Sequence, residues 1–193
     1  ASTTTELAGG GGNDTLIGGA AADRLVGGLG ADTLRSGGGN DELLGGDGDD
    51  ILEGGDGVDL LRGGAGSDAL GGGAGNDRLH GEAGDDTYVI ARGGGQDVVD
   101  DSEGRSTLRL GAGIAAGDVA FRHDANDLLV ALSDGSRTWI RNAWSQEAVG
   151  SVVFADGSTL SASELRASAQ MLLPGESLAS LGTAARFGTP GAD

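Results

Sequence analysis

Gly45-Gly46-Asp47-Gly48-Asp49-Asp50-Ile51-Leu52-Glu53 is a nine-residue unit, and its recurrence decides how the chain folds. The unit first appears as Gly9-Gly10-Gly11-Gly12-Asn13-Asp14-Thr15-Leu16-Ile17 and is still legible at Gly72-Gly73-Ala74-Gly75-Asn76-Asp77-Arg78-Leu79-His80. Nine such blocks run without a slip from Gly9 to Val89. Their sixth residue is always aspartate: Asp14, Asp23, Asp32, Asp41, Asp50, Asp59, Asp68, Asp77 and Asp86. The eighth is Leu16, Leu25, Leu34, Leu43, Leu52, Leu61, Leu70 and Leu79, then Tyr88. Chance does not place nine aspartates at one interval.

Composition narrows the class. The chain has 193 residues, enough for one or two domains. Its 41 glycines are concentrated in the blocks, and each would cost a helix roughly 1 kcal/mol, so the blocks are not helical. Collagen is excluded because glycine does not fall at every third position and there are only 2 prolines. Aromatic residues make up 3 %, too few for an ordinary globular core. With no cysteine there are neither disulfides nor cysteine-based zinc sites. A net charge of -18 disfavours nucleic acid and anionic membranes and favours cations.

Each block divides into a glycine-rich turn of six residues and a three-residue strand. The strand points its leucine inward and its neighbours, such as Arg24, Thr33, Glu42, Arg62, Arg78 and His80, outward. A chain that turns every nine residues winds as a flattened coil with two blocks per lap. Stacked laps give two parallel sheets facing each other across a leucine ladder. One edge then carries Asp14, Asp32, Asp50, Asp68 and Asp86, and the other Asp23, Asp41, Asp59 and Asp77. Strands stack about 4.8 Å apart. Carboxylates at that distance repel by roughly 3–4 kcal/mol at an effective dielectric near 20. A divalent cation between loops one lap apart reverses the sign, and Ca²⁺ takes six to eight oxygens from carboxylates and backbone carbonyls. The alternative, that the aspartates merely form turns, does not explain why Asn or Ser never replaces them.

The pattern G-G-x-G-x-D-x-U-x resembles the RTX (repeats-in-toxin) calcium-binding nonapeptide family over about half the chain. The resemblance implies an all-β fold, a parallel β-roll (β-solenoid) over residues 9–104 followed by a small β-rich flanking or capping region. It also implies calcium as the cofactor, with about seven or eight ions. The ligating aspartates would be those of the blocks together with Asp97. The expected carbonyl donors are Gly9 and Gly11, Gly18 and Ala20, Gly27, Leu29 and Gly30, and Ser36, Gly38 and Gly39. They continue with Gly45, Asp47 and Gly48, Gly54, Asp56 and Gly57, Gly63, Ala65 and Gly66, Gly72, Ala74 and Gly75, and Gly81, Ala83 and Gly84. By the same resemblance the parent is a secreted Gram-negative bacterial toxin or adhesin. It leaves by type I secretion and folds on meeting extracellular calcium, and the module itself is no enzyme. A receptor- or carbohydrate-binding module using Trp139 and Trp144 is the rival reading.

Three blocks depart from the pattern. Ala21 replaces the fourth-position glycine of block two, Ser36 opens block four, and Glu82 takes the second position of block nine. The site joining blocks two and four is therefore expected to be the weakest. Residues 1–8 read as a linker. Arg92-Gly93-Gly94-Gly95-Gln96-Asp97 is a degenerate tenth loop, eleven residues after Asp86 rather than nine. Residues 105–174 alternate as short strands, with a hairpin signal at Asp134-Gly135. Ser161-Ala162-Ser163-Glu164 is a capping box that opens a helix expected to run to about Leu172. Residues 175–193 read as a linker ending in Gly188-Thr189-Pro190-Gly191-Ala192-Asp193, similar to the start of another block, so the chain reads as a piece of a longer protein. His80 and His123 read as surface residues, and there is neither a G-x-S-x-G nucleophile motif nor a lysine for a phosphate-binding loop.

Overall fold

The computed structural model describes residues 4–101, 103–123, 126–144 and 148–171. The repeat region supplies β1 (Glu6–Gly11), β2 (Thr15–Gly19), β3 (Arg24–Leu29), β4 (Thr33–Gly38), β5 (Glu42–Asp47), β6 (Ile51–Gly57), β7 (Leu60–Ala65), β8 (Ala69–Gly75), β9 (Arg78–Ala83) and β10 (Thr87–Ile90). Then follow β11 (Gln96–Asp100), β12 (Ser106–Leu110), β13 (Val119–His123), β14 (Leu128–Leu132), β15 (Arg137–Arg141), β16 (Val149–Val153), β17 (Thr159–Ser161), α1 (Ala162–Ser168) and β18 (Gln170–Met171).

Odd and even strands of the array separate into two sheets, in the orders β1-β3-β5-β7-β9-β11-β15-β14-β13-β18 and β17-β16-β12-β10-β8-β6-β4-β2. Within the array every pair is parallel and offset by two blocks, as in Leu25↔Leu43 and Leu34↔Leu52. One lap is therefore 18 residues, and the fold is a parallel β-roll. Leu25, Leu34, Leu43, Leu52, Leu61 and Leu70 are fully buried between the sheets. Outward side chains form ion pairs across laps: Arg24 joins Glu6 at 3.0 Å and Glu42 at 2.8 Å, and Arg35 joins Glu53 at 2.7 Å. These pairs are exposed, so each adds little to stability.

The strands are longer than the three residues expected. The ladder continues through Gly10↔Gly28 and Gly11↔Leu29, so half of each presumed turn is paired backbone. Stacking forces this, because loops in register one lap apart offer their N–H and C=O groups to each other. The remaining tight turning is done at positions two and four of a block, where Gly46 and Gly48 have φ of 123 and 132°. A Cβ on Gly46 would collide with the Gly28 carbonyl of the previous lap. Glu82 takes this backbone conformation despite its side chain, at φ 75°.

Two further differences concern the ends. Glu6–Ala8, expected in a linker, are strand, with Leu7 opposite Leu25. The flank continues both sheets of the roll: β12 pairs in parallel with β10, and β15 with β11. The hairpin at Asp134-Gly135 forms as β14 and β15, antiparallel. Helix α1 begins at the expected capping box, Ser161 with Glu164, but ends at Ser168 instead of Leu172. Beyond it Gln170–Met171 returns to pair with β13. His123, read as a surface residue, is the last residue of β13. The expectations for residues 172–193 lie outside the described residues.

Candidate calcium-binding edges

The roll brings the block aspartates into the two predicted rows. Each carboxylate is used in a directional way. Its Oδ1 accepts the backbone N–H of the aspartate one lap earlier: Asp14 donates to Asp32, Asp32 to Asp50 and Asp50 to Asp68, at 2.7–2.8 Å. On the opposite edge Asp23 donates to Asp41, Asp41 to Asp59 and Asp59 to Asp77, at 2.7–2.9 Å. The second oxygen is different. Oδ2 of Asp14, Asp32, Asp41, Asp50, Asp59, Asp68, Asp77 and Asp86 is buried and has no hydrogen-bond partner. Such orphans are costly and rare in a folded protein, so eight of them, five along one edge and three along the other, call for a ligand.

Backbone carbonyls converge on the same oxygens. A Cβ on Gly27, Gly45, Gly54 or Gly63 would press on its own block's Asp Oδ2. It would also meet the first-position carbonyl one lap on, that of Gly45, Gly63, Gly72 or Gly81, at 2.5–2.8 Å. Glycine at position one thus keeps open a space between a carboxylate and a carbonyl. Among the described residues no three Asp, Glu or His side chains meet at one point. The donors are instead one carboxylate per loop plus carbonyls, all oxygen, which suits a hard cation such as Ca²⁺ and not zinc or copper.

Without a cation the rows are electrostatically strained. Burial, opposed by the backbone N–H bond and reinforced by neighbouring row carboxylates, pushes Asp59 and Asp86 up to about 7 and Asp68 to about 6. Asp77 rises to about 6 through burial, and Asp97 to about 8 through burial and Asp77. Asp50 rises by the same causes.

The blocks that depart from the pattern form different sites. At block four Ser36 fills the space that glycine leaves open elsewhere, and its hydroxyl donates to the Gly54 carbonyl. At block nine the hydroxyl of Tyr88 enters the corresponding place and accepts the Gly81 N–H at 2.8 Å. Asp97 extends the second row across the irregular spacing, accepting the Asp77 N–H at 3.1 Å, and also bonds Thr138. His80 is half-buried in the outer face, where burial lowers its pKa. Trp144 packs edge-on to His123 with Arg166 5.0 Å from its ring, and Trp139 lies in β15.

One set of residues escaped the sequence reading. Asn13, Asn40, Asp49, Asn76 and Asp85, at position five of their blocks, each accept a backbone N–H one lap on. Their donors are Ala31, Val58, Ser67, Gln96 and Arg105, at 2.8–3.0 Å. The Asn or Asp at that position was the available signal.

No curated protein matches the chain. The family model for the RTX calcium-binding nonapeptide repeat matches residues 5–34, 35–70 and 62–89. Family, spacing and geometry agree: residues 5–89 belong to the RTX calcium-binding repeats, and calcium is the ion such repeats bind.

Proposed function

We propose that the chain is a calcium-dependent folding module of a larger secreted protein, kept unfolded until it meets extracellular calcium. The observation that carries this is the two rows of buried Oδ2 atoms without partners. When bound, calcium supplies positive charge and an oxygen-seeking coordination shell. The protein's part is to bring an Asp Oδ2 from each loop together with the first-, third- and fourth-position carbonyls, and to hold the laps in register through Oδ1. Pairing each block with the one two further on gives seven two-loop sites across nine blocks, and the Asp97 loop would make about eight. Where calcium is scarce the rows repel and the glycine-rich chain has too little apolar surface to fold. Where calcium is abundant its binding free energy becomes folding free energy. The RTX family is typical of secreted proteins. Among the described residues no helix is long and apolar enough to cross a membrane. The secretion typical of the family accords with export of the unfolded chain by a type I machine. The module's part is structural, in keeping with the RTX repeat family, and involves no catalysis of its own.

Circular dichroism tests the proposal. In chelator the chain should be coil-like and should convert to β-structure near 10⁻⁴–10⁻³ M Ca²⁺, the range of extracellular modules. Magnesium should fail, since it demands tight octahedral geometry and dehydrates reluctantly. Equal β content with and without chelator would sink the proposal.

A further inference from the structure

We propose that the loop of block two carries no calcium, and that Asp23 serves there as a hydrogen-bond clamp in place of a metal ligand. The proposal rests on the calcium reading of the other loops. Asp23 is buried, like most of its counterparts. Its Oδ1 accepts the Thr5 N–H at 2.6 Å, continuing the pattern of the row. Its Oδ2, however, accepts the N–H of Gly19 at 2.7 Å. In the eight other blocks the same oxygen is buried without any partner.

The cause lies in the sequence of this loop, Gly18-Gly19-Ala20-Ala21-Ala22-Asp23. In every other block positions two and four both have positive φ, from Gly10 and Gly12 in block one to Glu82 and Gly84 in block nine. In block two neither Gly19 nor Ala21 does. Ala21 has a Cβ where the others have glycine, and the left-handed conformation brings that Cβ against the backbone. The loop relaxes to ordinary backbone, and the relaxation turns the Gly19 amide toward Asp23. An amide hydrogen now points at the oxygen that a cation would need. A calcium ion entering here would have to compete with that N–H for the carboxylate, a competition that none of the eight partnerless Oδ2 atoms presents. The Ser36 carbonyl still approaches Gly18 from the next lap, so the carbonyl side of the site is kept and only the carboxylate side is closed. Position five is altered too: Ala22 cannot accept an N–H from the next lap as Asn13 and Asn40 do. The row on this edge therefore has an ion-free rung at blocks two and four, while the opposite edge is uninterrupted from Asp14 to Asp86.

Counting bound calcium on the whole chain by native mass spectrometry at saturating calcium tests this. Asp23→Ala should bind as many ions as the unsubstituted chain, whereas Asp59→Ala should lose at least one. The double substitution Ala21→Gly with Ala22→Asn restores the common loop and should gain one ion. If Asp23→Ala does not fold, the restored loop decides alone. Loss of an ion from folded Asp23→Ala, or a restored loop that binds no more than the unsubstituted chain, overturns the proposal. An unsubstituted chain that binds no calcium overturns the folding-module reading itself and this proposal with it.

Discussion

Acid should partly replace calcium. Asp59, Asp68, Asp77, Asp86 and Asp97 hold their protons up to about pH 6–8 in the calcium-free fold, against an ordinary value of 3.8. Because the folded values are raised, the fold binds more protons than the unfolded chain between those limits. Its stability is therefore greatest at low pH and falls as pH rises through the window from about 4 to about 8. Near pH 5 each of the five carboxyls is protonated in the fold and ionised in the unfolded chain. At about 1.4 kcal/mol per proton per pH unit, and with neighbours in a row titrating together, the slope is on the order of a few kcal/mol per pH unit. Far-ultraviolet circular dichroism in chelator, titrated from pH 8 to pH 5, reads it directly. Light scattering guards against association as the chain nears its pI of about 4.1. The chain should be coil-like at pH 8 and gain β-structure on acidification. With calcium present the dependence should turn over, since protons and calcium compete for the same oxygens, and the calcium midpoint should rise as pH falls. A calcium-free chain with unchanged β content across this range, or one that gains it toward alkaline pH, would refute the reasoning.

Interior aspartates should matter more than terminal ones. Asp50 joins laps on both sides whereas Asp14 begins its row, so Asp50→Ala should raise the calcium midpoint more than Asp14→Ala, and the reverse order would argue against pairing blocks two apart. Leu52→Ala, at a fully buried rung, should cost about 2–5 kcal/mol in calcium-saturated urea unfolding, and a cost within experimental error would show that the ladder is not the core. Ending the chain at Gly104 strips β12 from β10 and β15 from β11 and uncovers buried Tyr88 and Val99. That truncation should abolish cooperative folding at millimolar calcium or make it aggregate, as followed by dichroism and scattering; a monomeric transition at an unchanged midpoint would contradict this.

The array was legible because one residue type marks each function. Asp at position six fixed the rows, Leu at position eight the core, and the period of nine the lap of 18 residues. The roles within a position were not legible. That Oδ1 ties laps together while Oδ2 waits for a ligand depends on where the next lap's amide points, which no single block encodes. The role of the position-five Asn and Asp residues escaped notice, because their acceptor function appears only once blocks two apart are stacked. Strand length was underestimated for a related reason: glycine signals a turn along the chain but also permits close stacking across laps.

The flank shows the limit of a fixed-period reading. The offset between paired residues is 18 in the array and 20 from Asp77 to Asp97, then grows to 41 from Val98 to Trp139, because β13 and β14 are inserted into one lap. Periodicity vanishes there, yet the sheets do not. What changes is the chemistry that closes the rows. Asp97 finds the hydroxyl of Thr138, which lies directly opposite it in β15. On the other edge Ser106 donates to Asp101, and the Tyr88 hydroxyl, bonded to the Gly81 amide, also reaches Asp101. Hydroxyl groups thus take over where the oxygen-only loops end. A hydroxyl donates a hydrogen bond to a carboxylate, which a backbone carbonyl cannot do, so Asp101 finds its partners in the protein. With β12 and β15 extending both sheets, the flank is expected to order first and to template the calcium-binding laps, which the truncation at Gly104 tests.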